Sequence, residues 1–261
     1  MFIYPEIDPV AISIGPISIA WYGIMYLLGF IASYLLAGLR VQQEWSPLAK
    51  DQVDDLIFYS VFGVILGGRL GYMFFYDTSQ LISDPISWLI ALPQLWKGGM
   101  SFHGGLLGVL CAALICSKQI SQPFVKVIDF VAPLVPIGLG LGRIGNFING
   151  ELWGAPTDSV LGFLVNGTTR HATQLYEATL EGLVLFVFLW FYTRKKRPLG
   201  FPSAMFLIGY GCFRIFIEFF RLPDAHIGYL YGGWMTLGQL LTLPMMIIGF
   251  WIIITYKLKV K

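Results

Sequence analysis

Several side chains able to do chemistry crowd into one short stretch. Residues 142–154 read GRIGNFINGELWG and carry Arg143, Asn146, Asn149, Glu151 and Trp153 among four glycines. A guanidinium is a planar fork of donors matched to a phosphate or carboxylate. Carboxamides and a carboxylate suit hydroxyl recognition, and glycine lets a backbone approach a ligand closely. The stretch follows directly on the apolar run IDFVAPLVPIGLGLG (128–142). One reading is a membrane-exit loop whose arginine snorkels to lipid head groups. The other is an anion site, and the density of polar and glycine positions favours it. Further ionisable residues interrupt apolar segments elsewhere: Arg69, His103 beside Gly104 and Gly105, Glu177 and Glu181, and Arg214 with Glu218 and Arg221.

The elements that must position these groups are membrane helices. Hydrophobic residues make up 56% of the 261 and charged residues 12%, against about 25% charged in a soluble domain. Mean hydropathy is +0.71. The chain therefore reads as an all-α membrane protein, a single integral membrane domain over 1–261. Seven spans are expected, near 18–39, 55–75, 99–117, 127–143 (kinked by Pro133 and Pro136), 172–193, 200–220 and 234–256. Residues 1–17, acidic and broken by Pro5, Pro9 and Pro16, are expected to form an interfacial arm. Residues 76–97 read as an interfacial segment, and 144–171 as a small extramembrane head after span 4. The N-terminus lacks the basic region of a cleaved signal peptide. No internal repeat is visible, which argues against a transporter of inverted halves. The cysteines, Cys111, Cys116 and Cys212, all lie in apolar runs and suggest neither disulfides nor a metal site. Without CxxC, HExxH or Walker-type motifs, no metal or cofactor is expected.

Seven spans place the termini on opposite sides. One side then collects Arg40, Lys50, Lys118, Lys126, Arg194, Lys195, Lys196, Arg197, Lys257, Lys259 and Lys261. The other collects Lys97, Arg143, Arg170 and Arg221. By the positive-inside rule the N-terminus is outside and the C-terminus cytoplasmic. The RKKR cluster (194–197) is thus a topology anchor, and nucleic-acid binding is not expected.

Orientation converts position into depth. His103, Arg143, His171, Gln174, Glu177, Arg214, Glu218 and Arg69 all fall toward the outer side, with Tyr26 nearer mid-depth. Arg214, Glu218 and Arg221 share one helix face, as do His171, Gln174 and Glu177. An arginine at a helix centre costs about 2.5–3.5 kcal/mol on insertion scales, so these groups need a wet cavity, carboxylates or an anion. Glu177, Glu181 and Glu218 can partner some arginines, and a set of bundle-locking ion pairs would be the bland outcome. Near the exit the arginines outnumber the deep acids. The complement is then an anionic ligand, and half within the outer leaflet that is a phospholipid head group.

At these residues the chain resembles the bacterial prolipoprotein diacylglyceryl transferases. The resemblance rests on GRIGNFINGELWG (142–154), HGGL (103–106), HATQLYEATLEG (171–182), GYGCFRIFIEFFRLPD (209–224), GGRLGY (67–72) and IAWYGIMY (19–26), in order along essentially the whole chain. One departure is Ala172 after His171, where proline is expected. The resemblance implies a seven-span bundle with a periplasmic head in the bacterial cytoplasmic (inner) membrane. It implies transfer of the diacylglyceryl group of phosphatidylglycerol to the lipobox cysteine of a preprolipoprotein, giving a thioether and glycerol 1-phosphate. It also implies that Arg143 and Arg214 recognise the phosphate and act in catalysis. Tyr26, His103, Asn146, Glu151, Gly154, Tyr210 and Glu218 would line the site. Two arginines aimed at the phosphate would stabilise the charge that grows on it as C–O breaks. His103 either takes the thiol proton or orients Tyr26 or the head group. Glu151 and Asn146 either bind glycerol hydroxyls or position the peptide. Glu218 either holds Arg214 or takes part in the chemistry. The competing classes are an anion transporter, whose polar groups would run the full depth, a non-catalytic lipid-binding protein, and another outer-leaflet phospholipid enzyme.

Overall fold

The computed structural model describes residues 1–15, 17–95, 98–223 and 228–260. Pro16, Trp96, Lys97, Asp224 and Lys261, which entered the reading above, lie outside them, as do the side chains of Lys257 and Lys259. Among the described residues, six helices are long and apolar enough to cross a membrane. They lie at Trp21–Arg40 (α1), Lys50–Phe75 (α2), Phe102–Gln119 (α5), Thr173–Tyr192, Phe201–Glu218 (α10) and within Leu237–Val260 (α11). A further pair, Phe124–Val131 (α6) and Val135–Ile148 (α7), is bent by 49° where Pro133 and Pro136 interrupt the helix. Proline removes a backbone donor and clashes with the preceding turn. At about 1.5 Å per residue, the 20 residues of α1 reach across a hydrocarbon core of about 30 Å.

The chain divides into two compact units, Ala37–Ile128 and the remainder. In the first, α2 and α5 meet backbone to backbone. A Cβ on Gly108 would stand 1.8 Å from the Gly63 carbonyl oxygen, and one on Gly104 2.1 Å from that of Gly67. Such small-residue seams replace the hydrophobic drive that helices lack inside lipid. Two short helices, Thr78–Ser83 (α3) and Pro85–Ala91 (α4), follow α2. Arg69 is fully committed here. Its guanidinium donates to the carbonyls of Ala91 (2.6 Å), Leu92 (3.3 Å), Gly98 (2.5 Å) and Gly99 (3.1 Å).

The second unit holds the first part of α1, then α7, α10 and α11. It also holds the helix from Thr173 to Tyr192, which runs as α8 (Thr173–Glu177), a π-helical segment (Ala178–Val184) and α9 (Leu185–Tyr192). Asp129 caps α10, accepting from Gly200 N (2.6 Å), Ser203 N (3.1 Å) and Ser203 Oγ (2.5 Å). The expectation of an all-α chain holds for the spans, but short strands accompany them. Phe2–Ile3 (β1) pairs in parallel with Phe163–Val165 (β4), and β4 pairs antiparallel with Thr168–Arg170 (β5). The β4–β5 turn is Asn166-Gly167, with φ of +48° and +78°, the left-handed pair that a two-residue hairpin needs. Val10–Ile14 (β2) and Ile17–Ala20 (β3) form a separate hairpin. The N-terminal arm is thus woven onto the 144–171 stretch: the Met1 ammonium donates to Val160 O (2.9 Å), and Tyr4 Oη to the carbonyls of Phe147 (3.0 Å) and Ile148 (2.9 Å).

Candidate active site

The centre of the second unit is one carboxylate. Glu177 ends α8 just before the π-helical segment, whose wide turn brings Gly182 flush against α7. A Cβ on Gly182 would stand 2.6 Å from the Gly140 Cα. That approach puts Arg143, on α7, within reach, with Nε 3.0 Å from Glu177 Oε2. From α10, Arg214 donates through Nη1 to Glu177 Oε1. Just beyond α10, Arg221 donates to the same oxygen at 3.0 Å. Glu218 lies 3.0 Å from Arg214 Nη2 and 3.6 Å from Arg221 Nε, while Glu181 Oε1 is 4.0 Å from Arg214 Nη1. Three arginines therefore meet three glutamates, and the expected excess of cations over deep acids is absent. The asymmetry lies in exposure. The guanidinium side chains of Arg143, Arg214 and Arg221 are 24%, 15% and 16% exposed, against 0%, 1% and 5% for Glu177, Glu181 and Glu218. A ligand meets cations first, with carboxylates behind them.

The cluster extends into the loop after α7. Arg143 Nη1 donates to Asn146 Oδ1 (3.4 Å), and Asn146 Nδ2 to Glu151 Oε1 (2.7 Å). Asn149 Nδ2 adds a donor to that oxygen at 3.3 Å. Gln174 Nε2 donates to the Glu151 carbonyl, and Thr173 Oγ1 to the Leu152 carbonyl (2.8 Å), holding the loop through a left-handed Leu152 at φ +62°. Asn146 is buried and Glu151 exposed, so the amide carries the link from guanidinium to carboxylate.

The remaining sequence candidates fall in different places. Tyr26 is exposed on α1, its hydroxyl 3.3 Å from that of Tyr22. The Tyr22 ring covers Gly145, where a Cβ would approach Cδ2 to 2.8 Å, and Tyr22 feels the charges of Arg143 and Glu151. Tyr210, one turn before Arg214, is half-buried and within electrostatic reach of Glu181, Arg214 and Arg143. Gly154 is buried at a crossing of backbones. A Cβ there would stand 2.4 Å from Phe220 O, 2.6 Å from Thr173 Cγ2 and 2.9 Å from His171 Cβ. Its N–H donates to His171 O at 2.8 Å. Gly154 thus fastens the loop to α8 and to the end of α10. His103 belongs to the other unit. It is the second residue of α5, exposed, with its ring edge-on to Phe102. The helix starts later than expected because Gly98 and Gly99 take φ of +77° and +79° and Ser101 Oγ caps it, accepting from Gly104 N.

The family model described as prolipoprotein diacylglyceryl transferase matches residues 9–255. The chain belongs to that family. Proteins named phosphatidylglycerol–prolipoprotein diacylglyceryl transferase match it over nearly full length. That of Solidesulfovibrio magneticus is 51% identical over 97% of this chain and 96% of its own. That of Legionella pneumophila (strain Corby) is 50% identical over 97% and 98%, and that of Pseudoalteromonas atlantica 54% over 95% and 89%. The chain is therefore a transferase and a multi-pass membrane protein.

Three residues of this transferase stand closer to the arginines than sequence reasoning placed them. Glu177 was one partner among several and is the shared one. Arg221 read as an exit residue and is the third cation. Tyr22 was passed over. An acid in an otherwise apolar helix, four residues before a second acid, is the signal that marks Glu177.

Proposed function

We propose that the chain transfers the diacylglyceryl group of phosphatidylglycerol to the lipobox cysteine thiol of a preprolipoprotein. The products are a thioether and glycerol 1-phosphate, and the step is the first in lipoprotein maturation. The observation that carries this reading is the cationic face of Arg143, Arg214 and Arg221, held from behind by buried Glu177. Donors fixed in this way need no reorganisation when charge develops in front of them. The substrate phosphodiester carries one negative charge. As thiolate sulfur attacks the glyceryl carbon and the C–O bond breaks, its electron pair passes to the phosphate oxygen, and a monoester of higher charge leaves. Arg143 and Arg214 gain attraction as the reaction proceeds, which is the requirement for catalysis rather than mere binding.

The nucleophile must be the thiolate, since a free cysteine titrates near 8.5. The resemblance counts His103 among the site residues, and its imidazole is suited either to take the thiol proton or to orient the head group. Asn146 and Glu151, joined by their hydrogen bond, are suited to the glycerol hydroxyls of the leaving group. Glu218 holds Arg214, and Tyr26 and Tyr210 border the lipid. In this reading the bent pair α6–α7 counts as one span of seven. The N-terminus is outside and the C-terminus cytoplasmic, as the Lys and Arg distribution indicates. The protein sits in the bacterial inner membrane with its site toward the outer leaflet. Residues 1–17 form the interfacial arm and 144–171 the periplasmic head.

The test combines purified protein in detergent with phosphatidylglycerol and a short lipobox peptide, read by mass spectrometry. The expected result is a mass gain of one diacylglyceryl group, absent when the peptide cysteine is serine and abolished in Arg143→Ala and Arg214→Ala. Normal turnover by either variant refutes the assigned phosphate clamp. Lipid bound in stoichiometric amount with no transfer refutes the activity.

A further inference from the structure

A recess of about 460 Å³ lies between the N-terminal arm, the turn after α7 and strand β4. It falls within the roughly 300–1,000 Å³ of ligand clefts. Tyr4, Glu6, Asp8, Asn149, Leu164 and Asn166 line it. Its chemistry is opposite to that of the arginine cluster. Glu6 and Asp8 have no cationic partner among the described residues, and the hydrogen bond found to Asp8 comes from the Val10 backbone (2.8 Å). Asn149 adds an Oδ1 that is buried and accepts no hydrogen bond. The recess is rich in acceptors and negative charge.

It is also joined to the proposed reaction centre. Asn149, on its wall, donates to Glu151 Oε1 at 3.3 Å, and Glu151 links through Asn146 to Arg143. Tyr4 makes the other wall and pins the last carbonyls of α7. A relay of side-chain hydrogen bonds therefore ties the arginines to the wall of the recess.

We infer that this recess docks the polypeptide acceptor, taking the few residues that follow its acceptor cysteine. The inference rests on the function proposed above. Two substrates of unlike charge must be sorted at one centre. The anionic lipid is drawn to the guanidinium face and repelled by Glu6 and Asp8. An extended polypeptide brings backbone N–H donors, and lysine or arginine side chains where it has them, to the exposed carboxylates of Glu6 and Asp8. Glu6 and Asp8 supply the negative charge on which this sorting rests.

The test is a steady-state assay with two lipobox peptides that differ after the cysteine, one carrying two lysines and one two glutamates. It is run on the wild type and on Glu6→Gln/Asp8→Asn, with the lipid varied in a separate series. The wild type is expected to favour the lysine peptide by about three- to tenfold in kcat/KM, a preference that shrinks as salt rises. The double variant is expected to raise KM for the lysine peptide by a similar factor, lose the discrimination, and leave KM for phosphatidylglycerol unmoved. Equal use of both peptides by the wild type overturns the inference without any variant. So does an unchanged peptide KM in a folded double variant, or a lipid KM that moves in parallel. Failure of the wild type to transfer at all overturns the function and, with it, the docking site.

Discussion

Glu177→Gln is the sharpest perturbation of the arginine cluster. It keeps shape but removes one formal negative charge from three arginines and three glutamates. Oε1 serves Arg214 and Arg221 while Oε2 faces Arg143 Nε at 3.0 Å. A carboxamide keeps one of these acceptors and turns the other into a donor, so at least one guanidinium is left opposite an N–H. Removing one partner of a buried ion pair costs about 3–5 kcal/mol. The guanidiniums are 15–24% exposed, and solvent screening places the effect near the lower end, about 3 kcal/mol. Expressed as lost alignment in the transition state, that is about a hundredfold in kcat/KM at 1.36 kcal/mol per decade. The assay is diacylglyceryl transfer to a lipobox peptide, paired with thermal unfolding in the same detergent. Unfolding should also show coupling: Glu177→Gln should cost less in an Arg143→Ala background than in the wild type, because the two share a contact. A variant within threefold of wild-type kcat/KM and with unchanged Tm would refute the role of Glu177 as the shared anchor.

Gly238→Ala, on α11, sets a Cβ 2.6 Å from Glu218 Oε1. Glu218 must move, and transfer is expected to fall about tenfold or more through Arg214 while the helix itself persists; an activity equal to wild type would show that Glu218 does not hold Arg214. Asp129→Ala removes the cap of α10, a loss of about 1–2 kcal/mol, and should lower Tm by a few degrees with a smaller effect on kcat. His171 is half-buried, its Nδ1 3.1 Å from Tyr176 Oη, and burial pushes its pKa below the ordinary value. The unfolded chain then takes up a proton first, so the stability contributed by neutral His171 is present above about pH 6.5 and lost as pH falls through the lowered value. The Tm of the wild type should fall over that window, and that of His171→Gln should fall less.

The spans were legible because an apolar run long enough to cross a bilayer has few other uses. Their ends were less so, since caps and backbone turns decide them. Span 3 was expected from residue 99, yet α5 begins at Phe102 because Gly98 and Gly99 leave the helical region and Ser101 supplies the cap. Strands β4 and β5 went unread although Asn166-Gly167 between FLV and TTR is a strong hairpin signal. Three-residue strands carry too little alternation to stand out beside the spans. The π-helical turn has no residue signature, and its consequence, the contact of Gly182 with Gly140, depends on which helices adjoin.

That same dependence limits what sequence could say of the site. Helical spacing grouped Arg214, Glu218 and Arg221, which do meet through Glu218, but it also put His171 on a face with Gln174 and Glu177, and His171 precedes α8. Periodicity cannot tell which face meets which, so it could not foresee that one carboxylate gathers arginines from α7 and from the α10 end. Counting charges along the chain suggested surplus cations and hence an anion to neutralise them. The structure removes the surplus and keeps the reason for an anion, because burial separates the charges that a count treats alike. Glutamates at 0–5% exposure hold arginines at 15–24%, and the field in front of the cluster is set by the nearer, more exposed sign. An Arg→Lys change would keep the count and lose the fork that lets one side chain hold a glutamate and face a phosphate together. Arg214 bridges Glu177 and Glu218 through different nitrogens, so Arg214→Lys should lose most of its transfer activity rather than a graded part of it.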